Sequence, residues 1–192
     1  MISMASLISY GQEIHSIFQL LGTKENDITL SLSWALANCP AFLNTVVSAV
    51  TGVVPFAENV AILNQQFDSE QGITDIEITD YQTFHIIFEA KRGWNLPDAD
   101  QLTKYSLRNA FTQTAYAYKH IVTLSECSQT YVLAHLPFHS VNSIPVSHLS
   151  YREIYEMAQA AYVGSNHEQK HLLLALCEYL RGVMTMQKLE SN

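Results

Sequence analysis

The sequence contains few cysteines, and none of them are paired by spacing. Cys39, Cys127 and Cys177 lie far apart, and no C-x-x-C pair occurs. An odd number of scattered cysteines argues against a disulfide framework and against a zinc ribbon. We therefore expect a chain without covalent cross-links, in a reducing compartment such as the cytoplasm.

Long hydrophobic runs are also missing. Each apolar stretch is interrupted well before the roughly 20 residues that a membrane-spanning helix requires. The first residues, MISMASLISYGQEIHSIF, have no basic segment and no clear cleavage site, which argues against a secretory signal. We expect no membrane association and an N-terminus that belongs to the fold.

No internal repeat, low-complexity tract or Ser/Gly-rich linker divides the chain. Its 192 residues are 48% hydrophobic, which is enough for one core and short for two. The sequence predicts a single domain over 1–192.

Basic residues are scarce, with 10 Lys and Arg against 18 Asp and Glu and a formal net charge of -8. This counts against an extended nucleic-acid surface, because Lys and Arg supply most phosphate binding. Five of the ten nevertheless fall in one stretch, namely Lys91, Arg92, Lys104, Arg108 and Lys119. A charge cluster alone is usually a solvated face, so its meaning depends on the motif beside it.

Several common catalytic motifs are absent. Without G-x-S-x-G, a P-loop or G-x-G-x-x-G, the α/β-hydrolase, nucleotide-triphosphatase and dinucleotide-binding classes lack their functional residues. His135 and His139 flank Pro137, and His167 and His171 have no nearby cysteine. We therefore predict no zinc site.

Hydrophobic periodicity predicts an α/β sandwich around a central mixed sheet. Helices are expected at about 1–21, 26–40, 41–54, 98–118, 151–162 and 167–188. Strands are expected at about 62–67, 74–79, 83–90, 121–124 and 129–136, with a hairpin turn at 80–82.

The strand at 83–90 ends in charged residues. Because side chains alternate along a strand, His85, Ile87, Glu89 and Lys91 should share one face. An E-x-K pair is often only a solvated ion pair. This pair, however, follows the apolar run FHIIF, and buried strands seldom end in charges unless those charges act at the sheet edge.

The preceding strand supplies a second carboxylate. Asp75 and Glu77 share a face by the same alternation, and the hairpin brings Asp75 near Glu89 if the register permits. The sequence leaves open which of the two is the site residue. Paired carboxylates suit Mg²⁺ or Mn²⁺, which activates water for phosphodiester hydrolysis, and Lys91 would orient that water.

Three segments, GITDIEI, IIFEAKRGW and LPDADQLTKY, resemble the PD-(D/E)XK nuclease superfamily. The resemblance covers mainly 72–105 and, more loosely, KENDITLSLSWALANCPAFL. It implies a three-layer restriction-endonuclease-like fold, with a central mixed β-sheet flanked by helices. It also implies a Mg²⁺-dependent (or Mn²⁺-dependent) endonuclease that hydrolyses DNA.

Residue by residue, the resemblance implies Asp75 and Glu89 as metal ligands and Lys91 as the catalytic lysine. Gln101 would be the helix-borne polar partner, and Glu25 an additional acidic metal ligand. This sequence departs from the family pattern at Thr74, which stands where proline usually precedes the aspartate.

Polar residues at helical spacing follow the motif. Gln101, Lys104, Tyr105 and Arg108 are three or four positions apart and would form one stripe. With Arg92, this stripe could contact the nucleic-acid backbone, although it could also be an ordinary exposed helix face.

Trp94 could stack on a base or plug its loop, and we expect the plug. The competing functional class is a catalytically inactive nuclease-like subunit that acts through a protein partner, which would account for the acidic charge. No separate specificity domain is recognisable, so a homodimer or a protein partner could supply recognition.

Overall fold

A computed structural model describes residues 6–186 and places a six-stranded mixed sheet at the centre of the molecule. The strands are β1 (Leu7–Ser9), β2 (Gln12–Ile14), β3 (Ala61–Asp68), β4 (Gly72–Thr79), β5 (Phe84–Ala90), β6 (Tyr118–Ser125), β7 (Ser140–Val141) and β8 (Ile144–Ser150). The helices are α1 (Glu25–Asn38), α2 (Pro40–Thr51), α3 (Ala99–Ser106), α4 (Asn109–Thr112), α5 (Gln129–His135), α6 (Tyr151–Ala161) and α7 (His167–Met186).

The order of strands in the main sheet is β3-β4-β5-β6-β8-β7. β3, β4 and β5 are antiparallel, β5, β6 and β8 are parallel, and β7 returns antiparallel to β8. β1 and β2 form a separate hairpin. The predicted α/β architecture with a mixed sheet is therefore confirmed.

Helices cover both faces of this sheet. One core cluster contains buried residues of α1, α2, α6 and α7 together with Ile76, Ile86 and Phe88. The other contains residues of α3, α4 and α5 together with Ile87 and Ile121. All seven residues of β5 are buried, as expected for a central strand with helices on both sides.

The β4–β5 turn fixes the register of the hairpin. Asp80 Oδ1 accepts the backbone N–H groups of Gln82, Thr83 and Phe84 at 3.0, 2.7 and 3.0 Å. An aspartate side chain that accepts hydrogen bonds from the backbone N–H groups of the following residues commonly stabilises a turn. It aligns Thr79 with His85 and Ile76 with Phe88, as the predicted hairpin at 80–82 requires.

The helix boundaries follow local chemistry. Pro40 occupies the first turn of α2, so the predicted break at this residue is confirmed. Asp98 and Ser150 cap α3 and α6 through their side chains, and both helices begin within one residue of the predicted start. At α1 the cap position is Lys24, and Asp27 accepts the Lys24 N–H at 2.8 Å from the first turn.

The predicted helix at 1–21 is wrong over the part that the structure describes, and residues 1–5 lie outside that part. β1 and β2 meet at Tyr10 and Gly11, whose φ values of 49° and 78° fit a two-residue hairpin turn. A short 3-10 helix, Ile17–Leu20, follows.

Two further predictions need correction. The helix expected to reach about residue 118 ends at Ser106, and Arg108 has an extended backbone with ψ 147° before α4 begins. The strand expected at 129–136 is α5, whose cap, Ser128, accepts the Tyr131 N–H at 3.2 Å. On the side of β6 away from β5, the paired strand is β8, which the sequence pattern did not predict. Of the predicted helix at 167–188, residues 187 and 188 lie outside the described part.

Within residues 6–186, no single helix is both long and apolar enough to cross a bilayer. α1 and α2 reach the required length and composition only together, and they are bent by 110° at Cys39.

Candidate active site

The site lies where β4 and β5 separate. Their pairing ends at Ile76 and Phe88, and one further step in this register places Asp75 opposite Glu89. The backbone N–H of Ala90 donates to Asp75 Oδ2 at 2.8 Å. Gln65 Nε2 donates to the other oxygen of Asp75 at 3.2 Å. The Asp75 side chain therefore occupies the gap between the strands, next to the E-x-K pair.

Glu89 is buried and makes three side-chain contacts. Its Oε1 lies 2.5 Å from Lys91 Nζ and 2.6 Å from Gln101 Nε2. Its Oε2 lies 2.7 Å from the hydroxyl of Tyr105, which is also 2.7 Å from the Ile73 carbonyl oxygen. β5 supplies the carboxylate and α3 supplies two of the groups that orient it.

Electrostatics distinguish the two partners of the E-x-K pair. Burial and the charge of Asp75 raise the pKa of Glu89 to about 7, although Lys91 and Tyr105 act in the opposite direction. Burial lowers the pKa of Lys91, but its hydrogen bond to Glu89 and the charges of Glu89, Glu25 and Asp75 outweigh burial and raise it. Lys91 therefore remains a cation at neutral pH.

Glu25 is the first residue of α1, which packs on the opposite face of the sheet from α3. Its Oε1 accepts the backbone N–H of Arg92 at 3.3 Å. Its charge contributes to the raised pKa of Lys91. The structure thus brings Asp75, Glu89, Lys91, Gln101 and Glu25 around one end of β5.

Two residues beside the site were not identified from the sequence. Glu126 follows β6, and burial raises its pKa to about 7 despite the charge of Arg92. Tyr151, the first residue of α6, donates its hydroxyl to the Lys91 carbonyl oxygen at 3.1 Å. In the sequence, Glu126 could have been noticed only as an acidic residue directly after the β-like run IVTLS. Only the parallel pairing of β5 with β6 places it next to the site.

The site contains carboxylates, which are the ligands that a small divalent cation prefers. Within residues 6–186, no group of three or more His, Cys, Asp or Glu side chains could hold a metal ion by itself. Asp75 and Glu89 supply two carboxylates, and Mg²⁺ commonly binds through one or two carboxylates, several waters and a substrate phosphate. The repulsion that raises the Glu89 pKa is also what a divalent cation between the two groups would offset.

Glu77 does not belong to this site. Its Oε2 lies 2.7 Å from His85 Nε2, and its Oε1 lies 2.7 Å from Thr74 Oγ1 and 3.0 Å from Arg108 Nη2. Burial raises its pKa, but the His85 and Thr74 hydrogen bonds and the charges of His85 and Arg108 lower it overall. Asp75 is therefore the β4 carboxylate beside Glu89.

The predicted polar stripe is wrong for two of its members. Tyr105 and Arg108 are only 2% and 5% exposed. Because α3 ends at Ser106, Arg108 turns inward, where it pairs with Glu77 and donates to the carbonyl oxygens of Gly72 and Gln66 at 3.1 Å each. These two residues cannot contact a nucleic-acid backbone in this arrangement.

The other two residues predicted to contact nucleic acid, Lys104 and Arg92, differ in how far their side chains are exposed. Lys104 is exposed on α3, as the stripe required. Arg92 has its Nε and Nη2 buried, and neither has a hydrogen-bond partner within the described residues. Arg92 is therefore directed at least partly into the protein.

No family model, curated protein or solved structure matches this chain. The chemistry assigned to the site rests on the residues described above.

Replacing Arg108 tests the buried ion cluster. Arg108→Ala leaves Glu77 buried without its guanidinium partner, so the free energy of unfolding should fall by about 3–5 kcal/mol. Lys104→Ala, at an exposed position, should change it by less than about 0.5 kcal/mol. Urea denaturation of both variants measures the difference, and equal small effects would contradict the buried role of Arg108.

The raised pKa of Glu89 predicts a pH-dependent stability. The folded protein keeps the Glu89 proton up to about pH 7, whereas the unfolded chain loses it near the ordinary value of 4.5. Between these values the folded state binds more protons, so the contribution of Glu89 to stability falls as pH rises and is lost above the folded pKa.

Glu89→Gln should remove this dependence. We compare the free energy of unfolding of Glu89→Gln with that of the wild type. The variant's value minus the wild-type value should increase by roughly 2–3 kcal/mol from about pH 5 to about pH 8. Urea denaturation at both pH values measures this difference, which isolates Glu89 from other titrating groups. Glu168→Gln, on an exposed part of α7, is the control and should show little change. A difference for Glu89→Gln that does not vary with pH would argue against the raised pKa.

Proposed function

We propose that this chain is a Mg²⁺- or Mn²⁺-dependent nuclease of the PD-(D/E)XK type, which hydrolyses phosphodiester bonds in DNA. The observation that carries this proposal is the convergence of Asp75, Glu89 and Lys91 where β4 and β5 separate. A mixed sheet with helices on both faces is compatible with the three-layer restriction-endonuclease-like fold that the motif implies. Gln101 on the following helix completes the expected set.

Each residue has a distinct part in this chemistry. A divalent ion held by Asp75 and Glu89 would polarise the phosphoryl oxygen and supply a bound water of lowered pKa. Gln101 and Tyr105 hold the Glu89 carboxylate in one orientation through contacts at 2.6 and 2.7 Å. Fixing a charged group in this way avoids reorganisation during the reaction.

Lys91 acts as a cation in this proposal. Its pKa is raised, so it retains its proton and cannot serve as the base that removes one from water. Its ammonium group can donate a hydrogen bond to the attacking water and offset the negative charge that develops on the phosphoryl group. Its side chain is 23% exposed, which leaves it accessible to a substrate beside Glu89.

A second candidate function is an inactive nuclease-like subunit that acts through a protein partner. The burial of Tyr105 and Arg108 favours it, because it removes two of the expected DNA contacts from a chain with a net charge of -8. In an active nuclease, a homodimer or a protein partner would be one source of the missing basic surface.

Cleavage of DNA by the Lys91→Ala variant distinguishes these candidates. The wild-type protein should cleave DNA only when Mg²⁺ or Mn²⁺ is supplied, and Lys91→Ala should lower the rate on the order of 100-fold or more. Lys170→Ala is the matched control, since it removes a lysine of α7 that belongs neither to the catalytic set nor to the predicted nucleic-acid contacts, and it should retain most activity. Circular dichroism should show both variants folded.

Two outcomes would contradict the nuclease proposal. A Lys91→Ala variant that cleaves as fast as the wild type would exclude Lys91 from the reaction. A wild-type protein that cleaves neither single-stranded nor duplex DNA with either metal would favour the inactive subunit.

A further inference from the structure

Three aromatic side chains form a row beside the candidate site. Trp94, in the loop after β5, contacts Tyr131 of α5 edge to face, with ring centroids 5.1 Å apart. Tyr131 stacks on His135 with centroids 3.9 Å apart and planes 13° apart. Trp94 is 54% exposed, so the expectation that it plugs its loop is wrong. We call Trp94, Tyr131 and His135 the aromatic row.

The loop that carries Trp94 is held against the neighbouring strand. The Gly93 carbonyl oxygen accepts the Glu126 N–H at 2.9 Å, and Asn95 Nδ2 donates to the Arg92 carbonyl oxygen at 2.8 Å. These bonds fix the segment on both sides of Trp94. The indole is therefore presented by an ordered loop, which lowers the entropic cost of binding.

The aromatic row lies at the same sheet edge as the candidate site. Trp94 is three residues after Lys91, so their Cα atoms are at most about 11 Å apart. Stacked bases of one DNA strand are spaced about 3.4 Å apart, so the Trp94 backbone lies within roughly three base steps of Lys91. A strand bound at Asp75 and Glu89 can therefore reach the end of the row at Trp94.

The chemistry of the row suits a nucleobase. Stacking of a base on an aromatic side chain contributes about 1–3 kcal/mol and tolerates any sequence, because every base has a π-face. It also requires little positive charge, whereas phosphate binding requires Lys and Arg. In a chain of net charge -8 that buries Arg108, stacking can replace part of the missing electrostatic attraction.

We propose that the aromatic row stacks on an unpaired base of the strand whose phosphate is cleaved. The substrate is then single-stranded DNA, or DNA with an unpaired segment at the scissile position. Bases inside an intact duplex are already stacked and must first be extruded, at a cost of a few kcal/mol. This inference rests on the proposed nuclease function and narrows its substrate class.

The two tryptophans of the chain make the proposal measurable. Trp34 lies on α1, which packs on the other face of the sheet from α5. Trp34→Phe leaves Trp94 as the single indole reporter. Titration of this variant with an oligothymidine of about ten nucleotides, in the presence of a metal chelator, should quench the Trp94 fluorescence saturably.

Affinity measurements complete the test. Trp94→Ala should weaken binding of the same labelled oligonucleotide by about 5- to 150-fold, measured by fluorescence anisotropy. Trp94→Phe, which keeps an aromatic ring, should recover part of that loss. Trp34→Ala, at a position that is 60% exposed, is the matched control and should bind within about twofold of the wild type.

The outcomes separate this proposal from the nuclease proposal. Unchanged affinity in Trp94→Ala, no binding of the oligonucleotide, or equal affinity for a fully paired duplex would overturn the stacking role. Lys91-dependent cleavage that Trp94→Ala leaves unaltered would overturn it while supporting the nuclease. Quenching and weakened binding as expected, without metal-dependent cleavage, would support the row as a binding site and contradict the nuclease.

Discussion

Glu89 extends a carboxylate into the protein interior at the end of the central strand, and its surroundings determine what this sheet edge can do. Lys91, Gln101 and Tyr105 all approach its two oxygens, while the nearby charge of Asp75 opposes its ionisation. Burying a carboxylate beside another carboxylate is unfavourable, so this arrangement lowers the stability of the fold. A bound divalent cation would relieve that repulsion, which couples metal binding to the stability of the fold.

The same strands carry a second buried glutamate with a different environment. Glu77 receives hydrogen bonds or ion pairs from Thr74, His85 and Arg108, and its pKa is lowered. Glu89 is paired with one partly exposed lysine and has a raised pKa. The contacts of Glu77 link the sheet to the segment between α3 and α4. The contacts of Glu89 leave a carboxylate that a cation can stabilise further. Because their partners differ, Glu77 has a structural role and Glu89, on the same face of the sheet, has a candidate catalytic role.

The region from 61 to 90 could be predicted because its signals are local. Strand alternation placed Glu89 and Lys91 on one face, and Asp80 marks the turn that sets the register of Asp75. The helix expected through Arg108 failed because the Arg108–Glu77 pair joins residues 31 positions apart, and no nearby pattern reveals it. Glu126 was missed for a similar reason, since its proximity depends on parallel pairing between β5 and β6.

Ambiguous hydrophobic spacing explains two further errors. The apolar residues of 7–20 are compatible with a helix, but the positive φ values at Tyr10 and Gly11 permit a tight hairpin. At 129–136, residues of high β-propensity suggested a strand, whereas Ser128 provides a helix cap that outweighs that preference. Where an apolar pattern fits both a helix and a strand, turn and cap residues such as these decide which of the two forms.

The central claim is that Asp75 and Glu89 together hold a divalent cation. Binding of Mn²⁺, followed by electron paramagnetic resonance of the free ion, tests it without requiring a substrate. The wild type should bind Mn²⁺, and Asp75→Asn and Glu89→Gln should each weaken its affinity by roughly tenfold or more. Asp100→Asn, at an exposed position of α3, should leave it unchanged. Equal Mn²⁺ binding by the wild type and both site variants would contradict the claim.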